Sequence, residues 1–406
     1  SRVGCCALMA LSEVLVPDWD DGDPTVAHFG APPGLRAFAR WDAARFLLVA
    51  RDGYGDEQSH AHPPALPLLI WALTPQWAGD VGLVLVGMAI CNAAFVASAV
   101  ALLRLGVSTG LDAELSERAA LLYCASPASV FHSSVYSESP FALCTFGGLY
   151  FLAEEYRIAA VVSFALGTAT RANGMVNSGF LAFDGVVRFF LGVALCSGQL
   201  QWQRQSFRLT WPRVVSLMAA VAGCIVVIAP HLFFEAYGYF KFCARGHRVH
   251  GKPVPRWCGA AAPSLYRHVQ KEYWGNGLFA RWEVKQLPAF ILAAPPAAAA
   301  LGAAAAYARN ARALGLRRFL EARGLFGPAI LPHVVQTAFL AGLALLAMHA
   351  QILTRFLSAA SPGFHWWLAR ASLRADGPRL RAAVYGFIAT YIVAGVLLHP
   401  NCLPWT

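Results

Sequence analysis

Gly82-Leu83-Val84-Leu85-Val86-Gly87-Met88-Ala89-Ile90-Cys91-Asn92-Ala93-Ala94-Phe95-Val96-Ala97-Ser98-Ala99-Val100-Ala101-Leu102-Leu103 is a run of 22 residues without a charged side chain. At 1.5 Å per residue, a helix of that length reaches about 33 Å, enough to cross a hydrocarbon core of about 30 Å. In lipid no water pairs with the backbone, so such a run hides its peptide groups by becoming a helix. Nine more apolar runs follow the same pattern, at 3–16, 119–135, 139–153, 157–169, 174–196, 213–234, 287–308, 328–350 and 382–398. Composition agrees: of 406 residues, 57% are hydrophobic and only 13% charged, against about 25% charged in an ordinary soluble domain. A soluble globular enzyme, a disordered chain and a coiled coil are excluded. The net charge of +10 is spread over short loops between apolar runs, which argues against a nucleic-acid binder. The expected fold is an all-α polytopic membrane protein of about ten transmembrane helices. No internal repeat or linker divides it, so 1–406 reads as a single membrane-embedded domain.

The run 3–16 is short of a crossing and reads either as the apolar region of a signal peptide or, the favoured reading, as part of a first membrane helix. Segment 35–50 is amphipathic: Phe38, Trp41, Phe46 and Val49 stand near helical spacing with Arg36, Arg40 and Arg45 between them. It suits a helix lying in the interface plane. The alanines of 291–306 suit close helix packing. Lys and Arg in short loops set orientation. Arg204, Arg208 and Arg213, and then Arg309, Arg312, Arg317, Arg318 and Arg323, mark two cytoplasmic loops. Loops 17–81 and 235–286 then lie on the far side, as do the tight links at 136–138 and 170–173. Arg370, Arg374, Arg379 and Arg381 fit only with an extra short span or half-inserted helix near 351–369, around Phe364, Trp366 and Trp367.

Of ten cysteines, most sit in apolar runs, where a thiol acts as a small hydrophobe. Cys243 and Cys258 share one polar far-side loop and can pair if it faces an oxidising compartment. His60 and His62 stand at metal-ligand spacing, but no third ligand is near, and no structural metal is expected.

Isolated charges against an apolar background are the strongest functional signal, because a charge near lipid is expensive and usually faces a cavity. Asp42, after Trp41, either deprotonates a hydroxyl acceptor or pairs with Arg45 at i+3. Glu57 sits in a glycine-containing loop. Glu138, after Tyr136, lies in a membrane-level turn. It is either a site residue or a carboxylate favoured by a helix dipole. Arg171, beside Asn173, either binds a phosphate or pairs with Glu138. Arg355 is a further lone cation, for a ligand or for headgroups. Loop 235–286 carries Trp257, Tyr266, Tyr273, Trp274 and Trp282 with Gln270 among them, suited to sugar stacking or to an interfacial belt. Two carboxylates, two arginines and an aromatic loop on one membrane face suit group transfer from a lipid-linked phosphate donor. No glycine-rich phosphate loop or Asp-x-Asp pair suggests a soluble nucleotide.

The strings Trp41-Asp42-Ala43-Ala44-Arg45-Phe46-Leu47, Ser126-Pro127-Ala128-Ser129-Val130-Phe131, Tyr136-Ser137-Glu138-Ser139, Phe146-Gly147-Gly148-Leu149 and Arg171-Ala172-Asn173-Gly174 resemble the GPI mannosyltransferase 2 family. So do Pro263-Ser264-Leu265-Tyr266, Tyr273-Trp274, Leu353-Thr354-Arg355-Phe356 and the ending Leu403-Pro404-Trp405-Thr406. The matches run in order over nearly the whole chain. Where the family usually reads Ala-Phe-Phe-Pro after Glu57, this chain has Ala61-His62-Pro63-Pro64.

The resemblance implies a GT-C-type glycosyltransferase fold with interfacial helices in a first luminal loop, 17–81. It implies a multi-pass enzyme of the endoplasmic reticulum membrane with a luminal site. The enzyme would transfer the second mannose, in α1,6 linkage and with inversion, from dolichyl phosphate mannose to a mannosyl-glucosaminyl-phosphatidylinositol precursor. Neither a metal nor a cofactor is implied. Asp42 maps to the expected base. Trp41, Arg45, Glu57, Tyr136, Glu138, Arg171, Asn173, Gln270, Trp274 and Arg355 are the substrate-site candidates. Cys243 and Cys258 match a family cysteine pair. Its partners would be the two lipid substrates and membrane lipids, not nucleic acid; a small accessory membrane subunit is left open. Two alternatives are another dolichyl-phosphate-sugar transferase of the same architecture and a lipid-sugar transporter. The latter would show inverted repeats and mid-bilayer polar residues.

Overall fold

The computed structural model describes residues 1–19, 30–192, 209–245, 255–374, 377–403 and 405. Arg204 and Arg208, used above for orientation, lie outside the described residues, as do parts of loops 17–81 and 235–286. Every regular element among the described residues is helical. The α-helices are α1 (Arg2–Leu15), α2 (Asp42–Asp52), α3 (Ala65–Leu73), α4 (Gly79–Ser108), α5 (Ala113–Cys124), α6 (Ser129–Ser133), α7 (Glu138–Ala153) and α8 (Arg157–Thr170). They continue as α9 (Ser178–Leu191), α10 (Trp211–Tyr239), α11 (Leu265–Glu272), α12 (Leu287–Glu321), α13 (Leu331–Ala347), α14 (Leu353–Ala360), α15 (Pro362–Leu373) and α16 (Pro378–Leu398).

The opening run forms α4, and its outward side chains are apolar: Leu85, Val96, Val100 and Val107 are all exposed. Such a surface is at home in lipid rather than water. Among the described residues six helical stretches, those of α4, α9, α10, α12, α13 and α16, are long and apolar enough to cross a membrane. The remaining apolar runs form shorter helices. Run 119–135 divides at Ser126-Pro127, where the proline ring removes a backbone donor and bars the preceding residue from helical geometry. α5 therefore ends at Cys124, and the one-turn α6 leads to the turn before Glu138. Run 174–196 begins as a 3₁₀ segment and becomes α9 only at Ser178.

Small residues bring the helices together, because without a side chain two backbones approach closely. A Cβ on Gly148 of α7 would stand 2.5 Å from the ring of Phe164, and one on Gly185 of α9 would stand 2.3 Å from the Ala220 methyl of α10. In α12 the alanines alternate in role: Ala293, Ala297, Ala300 and Ala303 are buried at helical spacing. Gly315, with φ +70°, breaks that helix near its arginine-rich end.

Two segments take definite form. Segment 35–50 packs on the protein. Its apolar side chains are spent on the protein core, with Phe38, Phe46 and Leu47 buried. Arg40 is buried too, paired with Asp18 at 2.7 Å and Glu13 at 3.6 Å. Segment 351–369 is a pair of helices, α14 and α15, broken at Ser361-Pro362, where the Ser361 hydroxyl caps α15 by accepting from Phe364 N–H. All eight residues of α14 are buried. α16 then returns, so that His399 and Asn401 meet α1 and Trp41 at one end of the bundle.

Candidate active site

That end of the bundle carries four charged groups from four distant helices. Asp42 occupies the first turn of α2 and Glu138 the first turn of α7. At both positions the helix dipole favours a carboxylate. Arg171 ends α8 in extended backbone, and Arg355 lies in the first turn of α14. They form one chain of ion pairs. Arg355 Nη2 donates to Asp42 Oδ2 at 3.0 Å, and Arg355 Nε donates to Glu138 Oε1 at 2.7 Å. Arg171 Nη1 approaches the same Glu138 oxygen at 2.6 Å and also donates to the Ser137 hydroxyl at 3.1 Å. Two positive and two negative charges thus balance. Glu138 is fully buried beneath the pair of arginines, while the Asp42 side chain is 39% exposed. Arg355 also lies over the rings of Phe131 and Tyr136, at 4.5 and 5.0 Å.

Local sequence explains the placement. Trp41 adopts φ +58°, a region a bulky residue rarely enters. Its indole N–H donates to the His399 carbonyl at 3.1 Å, and the next backbone N–H, of Asp42, donates to the Tyr136 hydroxyl at 3.2 Å. Asp42 is thereby aimed from a fixed corner. Gly174 closes the turn after Arg171 by donating its N–H to the Arg171 carbonyl at 2.8 Å. A Cβ there would stand 2.5 Å from the Thr168 backbone nitrogen. Backbone cannot yield as a side chain would, so Gly174→Ala is expected to displace Arg171. A displacement of about 1 Å near the chemistry lowers kcat/KM on the order of 10²-fold. Steady-state kinetics of the purified variant checks this, and an unchanged kcat/KM would refute it.

A pocket opens over the network. Asp42, Arg171, Asn173, Gln270, Trp274 and Arg355 line it, together with His62, Tyr266 and Phe356. Its roof is α11, capped by the Ser264 hydroxyl, which accepts from Arg267 N–H at 3.1 Å. Tyr266 and Gln270, four residues apart, share the face of α11 turned to the pocket. Asn276 holds Gln270 by donating to its side-chain oxygen at 2.7 Å.

The other candidates lie outside the lining of this pocket. Tyr136 and Glu138 are buried under the pocket. Trp41 is at its edge, bound to His399. Arg45 does not pair with Asp42. It turns to the next loop, donating to Gln58 at 3.0 Å and lying 3.7 Å from Asp56. Glu57 is likewise off the pocket, accepting from the Trp257 indole at 3.1 Å with His268 at 3.4 Å. Trp257 adjoins Cys258, which forms a disulfide with Cys243, so Glu57 anchors the disulfide-bearing loop.

Sequence reasoning missed His62, which lines the pocket with Nε2 3.9 Å from Asp42 Oδ1. The i, i+2 histidine spacing drew attention to metal binding, whereas His60 faces away and stacks on Phe234 at 3.7 Å. Among the described residues no group of three His, Cys, Asp or Glu side chains is arranged to hold a metal. Burial works against the charge on Asp42. His62 and the Arg355 guanidinium outweigh it and hold the carboxyl well below the usual carboxylate range.

A helical membrane bundle with carboxylates and arginines gathered in one end pocket has the parts of a membrane-embedded transferase. The sequence model of the mannosyltransferase (PIG-V) family matches residues 12–406, and the chain belongs to that family. It is 30% identical to the human (Homo sapiens) GPI alpha-1,6-mannosyltransferase 2 and 29% identical to the mouse (Mus musculus) protein of the same name. In both, the match covers 100% of this chain and 96% of the relative. Among solved structures, the apo oligosaccharyltransferase of Archaeoglobus fulgidus superposes with a TM-score of 0.46 at 11% identity, over 98% of this chain. This chain spans only 55% of that structure's length.

Proposed function

We propose that this mannosyltransferase adds the second mannose, in α1,6 linkage, to mannosyl-glucosaminyl-phosphatidylinositol. The donor is dolichyl phosphate mannose, and the site faces the lumen of the endoplasmic reticulum. The fold we assign is GT-C, a single membrane-embedded domain in which the shorter apolar helices bring the crossings to about ten. The observation that carries the reading is the Asp42–Arg355–Glu138–Arg171 network at the floor of one pocket. It supplies a base for an alcohol and cations for a departing phosphate within a few ångströms of each other. Asp42 accepts the proton of the acceptor mannose 6-hydroxyl. That oxygen attacks the anomeric carbon of the donor, the bond from that carbon to the phosphate oxygen breaks, and dolichyl phosphate leaves with the electron pair. Inversion follows from attack opposite the leaving group. Arg171 meets the charge developing on the phosphate, and Trp274, Gln270 and Asn173 hold the sugars.

A carboxylate stabilised as strongly as Asp42 is a weak base. In this reading the donor phosphate competes for Arg355, and Asp42 recovers proton affinity only once the donor is seated. The site is thereby protected from deprotonating water or acceptor without a donor. The names of the family relatives support the acceptor class and linkage.

The test is transfer by the purified chain from radiolabelled dolichyl phosphate mannose to synthetic mannosyl-glucosaminyl-phosphatidylinositol. The expected product carries a label released by α1,6-specific mannosidase. A product with another linkage, or no transfer to this acceptor, would overturn the reading.

A further inference from the structure

A second cavity adjoins the first. It is a groove of about 600 Å³ between α2, α3 and α10. Its walls are apolar, and Leu68, Trp71 and Phe233 are 58%, 65% and 75% exposed, so it opens sideways where lipid lies. Two cations line it, Arg51 and Lys241. Arg51 is committed to Asp52 and Asp80 at 2.9 and 3.0 Å. Lys241 has no carboxylate partner among the described residues. Its ammonium rests 3.4 Å from the Tyr237 hydroxyl. A thin wall separates the groove from the catalytic pocket. His62 and Pro63 line the pocket, and Pro64 lines the groove. The Tyr54 hydroxyl donates to the His62 carbonyl at 2.7 Å and ties the wall together.

An apolar channel lined by a cation with no carboxylate partner among the described residues fits an anionic lipid, and distance decides which one. Asp42 and Arg51 stand at opposite ends of α2, nine positions apart, so the part of the groove that Arg51 lines lies about 13 Å along the helix from the reacting carboxylate. The donor phosphate is bonded through one oxygen to the carbon under attack and cannot sit that far away. In the acceptor, three sugar-sized rings separate the reacting hydroxyl from the phosphodiester. At single-bond lengths of about 1.5 Å, such a chain extends on the order of 15 Å.

We propose that this groove seats the lipid end of the acceptor, a glycosylated phosphatidylinositol. Its acyl chains lie along Leu68, Trp71 and Phe233, and its phosphodiester meets Lys241. The glycan then reaches past the Tyr54 wall to present its terminal mannose to Asp42. The assignment rests on the function proposed above and adds to it the place where the acceptor is held.

The full chain in phosphatidylcholine nanodiscs tests it. Leu68→Trp fills the groove, and Lys241→Glu reverses its charge. Each is expected to raise the KM for mannosyl-glucosaminyl-phosphatidylinositol about five- to tenfold, as loss of one interfacial cation–phosphate attraction does. Lys241→Arg restores the wild-type value, and the KM for dolichyl phosphate mannose holds throughout. A rise in the donor KM, or no change in either, overturns the assignment. A second measurement needs no turnover. Photoactivatable phosphatidylinositol is expected to label the peptides bearing Trp71 and Phe233 in the wild type, at least about fivefold less in Leu68→Trp, and to resist competition by dolichyl phosphate. Displacement by dolichyl phosphate would make the groove a donor site, and absence of labelling would leave it without a lipid; either overturns the proposal. Labelling as expected from a wild type that makes no product would support the groove and count against the proposed reaction.

Discussion

Asp42→Asn is expected to lower turnover by about 10²–10⁴-fold, the contribution of a well-placed general base. The substitution keeps the shape of the side chain and an acceptor for the Arg355 N–H at 3.0 Å, so the pocket is expected to persist while proton acceptance is lost. The variant should therefore retain donor binding, which separates loss of chemistry from loss of structure. The pH profile gives an independent reading. The folded carboxyl is held below its ordinary range, so it stays charged as pH falls and protonates only at the lower, folded value. Activity should accordingly lack an acid limb near the usual carboxylate range in the donor-free enzyme, read as kcat/KM. His62→Phe removes one of the groups that hold the charge and should move that limb upward. Rescue of cells lacking the second GPI mannose by Asp42→Asn at low expression would remove Asp42 from the role of base.

Glu138→Ala is expected to be the most damaging single change to stability. The carboxylate is fully buried and is the shared counter-ion of Arg171 and Arg355. Its removal takes the carboxylate from Arg171 and leaves Arg355 with Asp42 alone, and breaking a buried pair costs about 3–5 kcal/mol. Against a total stability of roughly 5–15 kcal/mol, that removes between about a fifth and all of the margin. Glu138→Gln, which keeps the volume and an acceptor oxygen, should fold better and still lose turnover, because the two arginines lose the charge they share. Arg45→Ala is the matched control. Its Asp56 contact is 3.7 Å long with both partners partly exposed, and such pairs contribute about 0–1 kcal/mol. Thermal midpoints in detergent compare the three. A Glu138→Ala midpoint within a degree or two of the wild type would show that the network carries no structural load.

The helical membrane class was legible because lipid leaves no alternative for long apolar runs, and the run 82–103 lies wholly within α4. Short elements were less legible. Ser126-Pro127 and Ser361-Pro362 are small interruptions in apolar sequence: the prolines allow a break there, and the packing around them sets how far the chain turns. The same holds for 35–50, whose amphipathic pattern fits a membrane surface or a protein core equally well. Asp42, Glu138, Arg171 and Arg355 could be singled out because a lone charge between apolar flanks must find a partner or a cavity. Arg45 and Glu57 could not be sorted the same way. They lie in polar stretches where several partners compete, and the direction of a side chain there is set by tertiary contacts. His62 carried a signal as one of two histidines at i, i+2, but nothing local says that it faces a carboxylate 20 positions earlier.

The pairing of Asp42 with Arg355 spans 313 positions, and that of Glu138 with Arg355 spans 217. During vectorial synthesis at about 5–20 residues per second, Asp42 waits on the order of 15–60 s for its partner to be made. For that interval the nascent chain exposes two unmatched acids beside lipid, with only Arg171 to share between them. Insertion thus passes through an anionic, incomplete bundle that the last third of the chain neutralises. A translation arrest before residue 355 should therefore leave a product recognised by membrane quality control, even though most of its helices are already present.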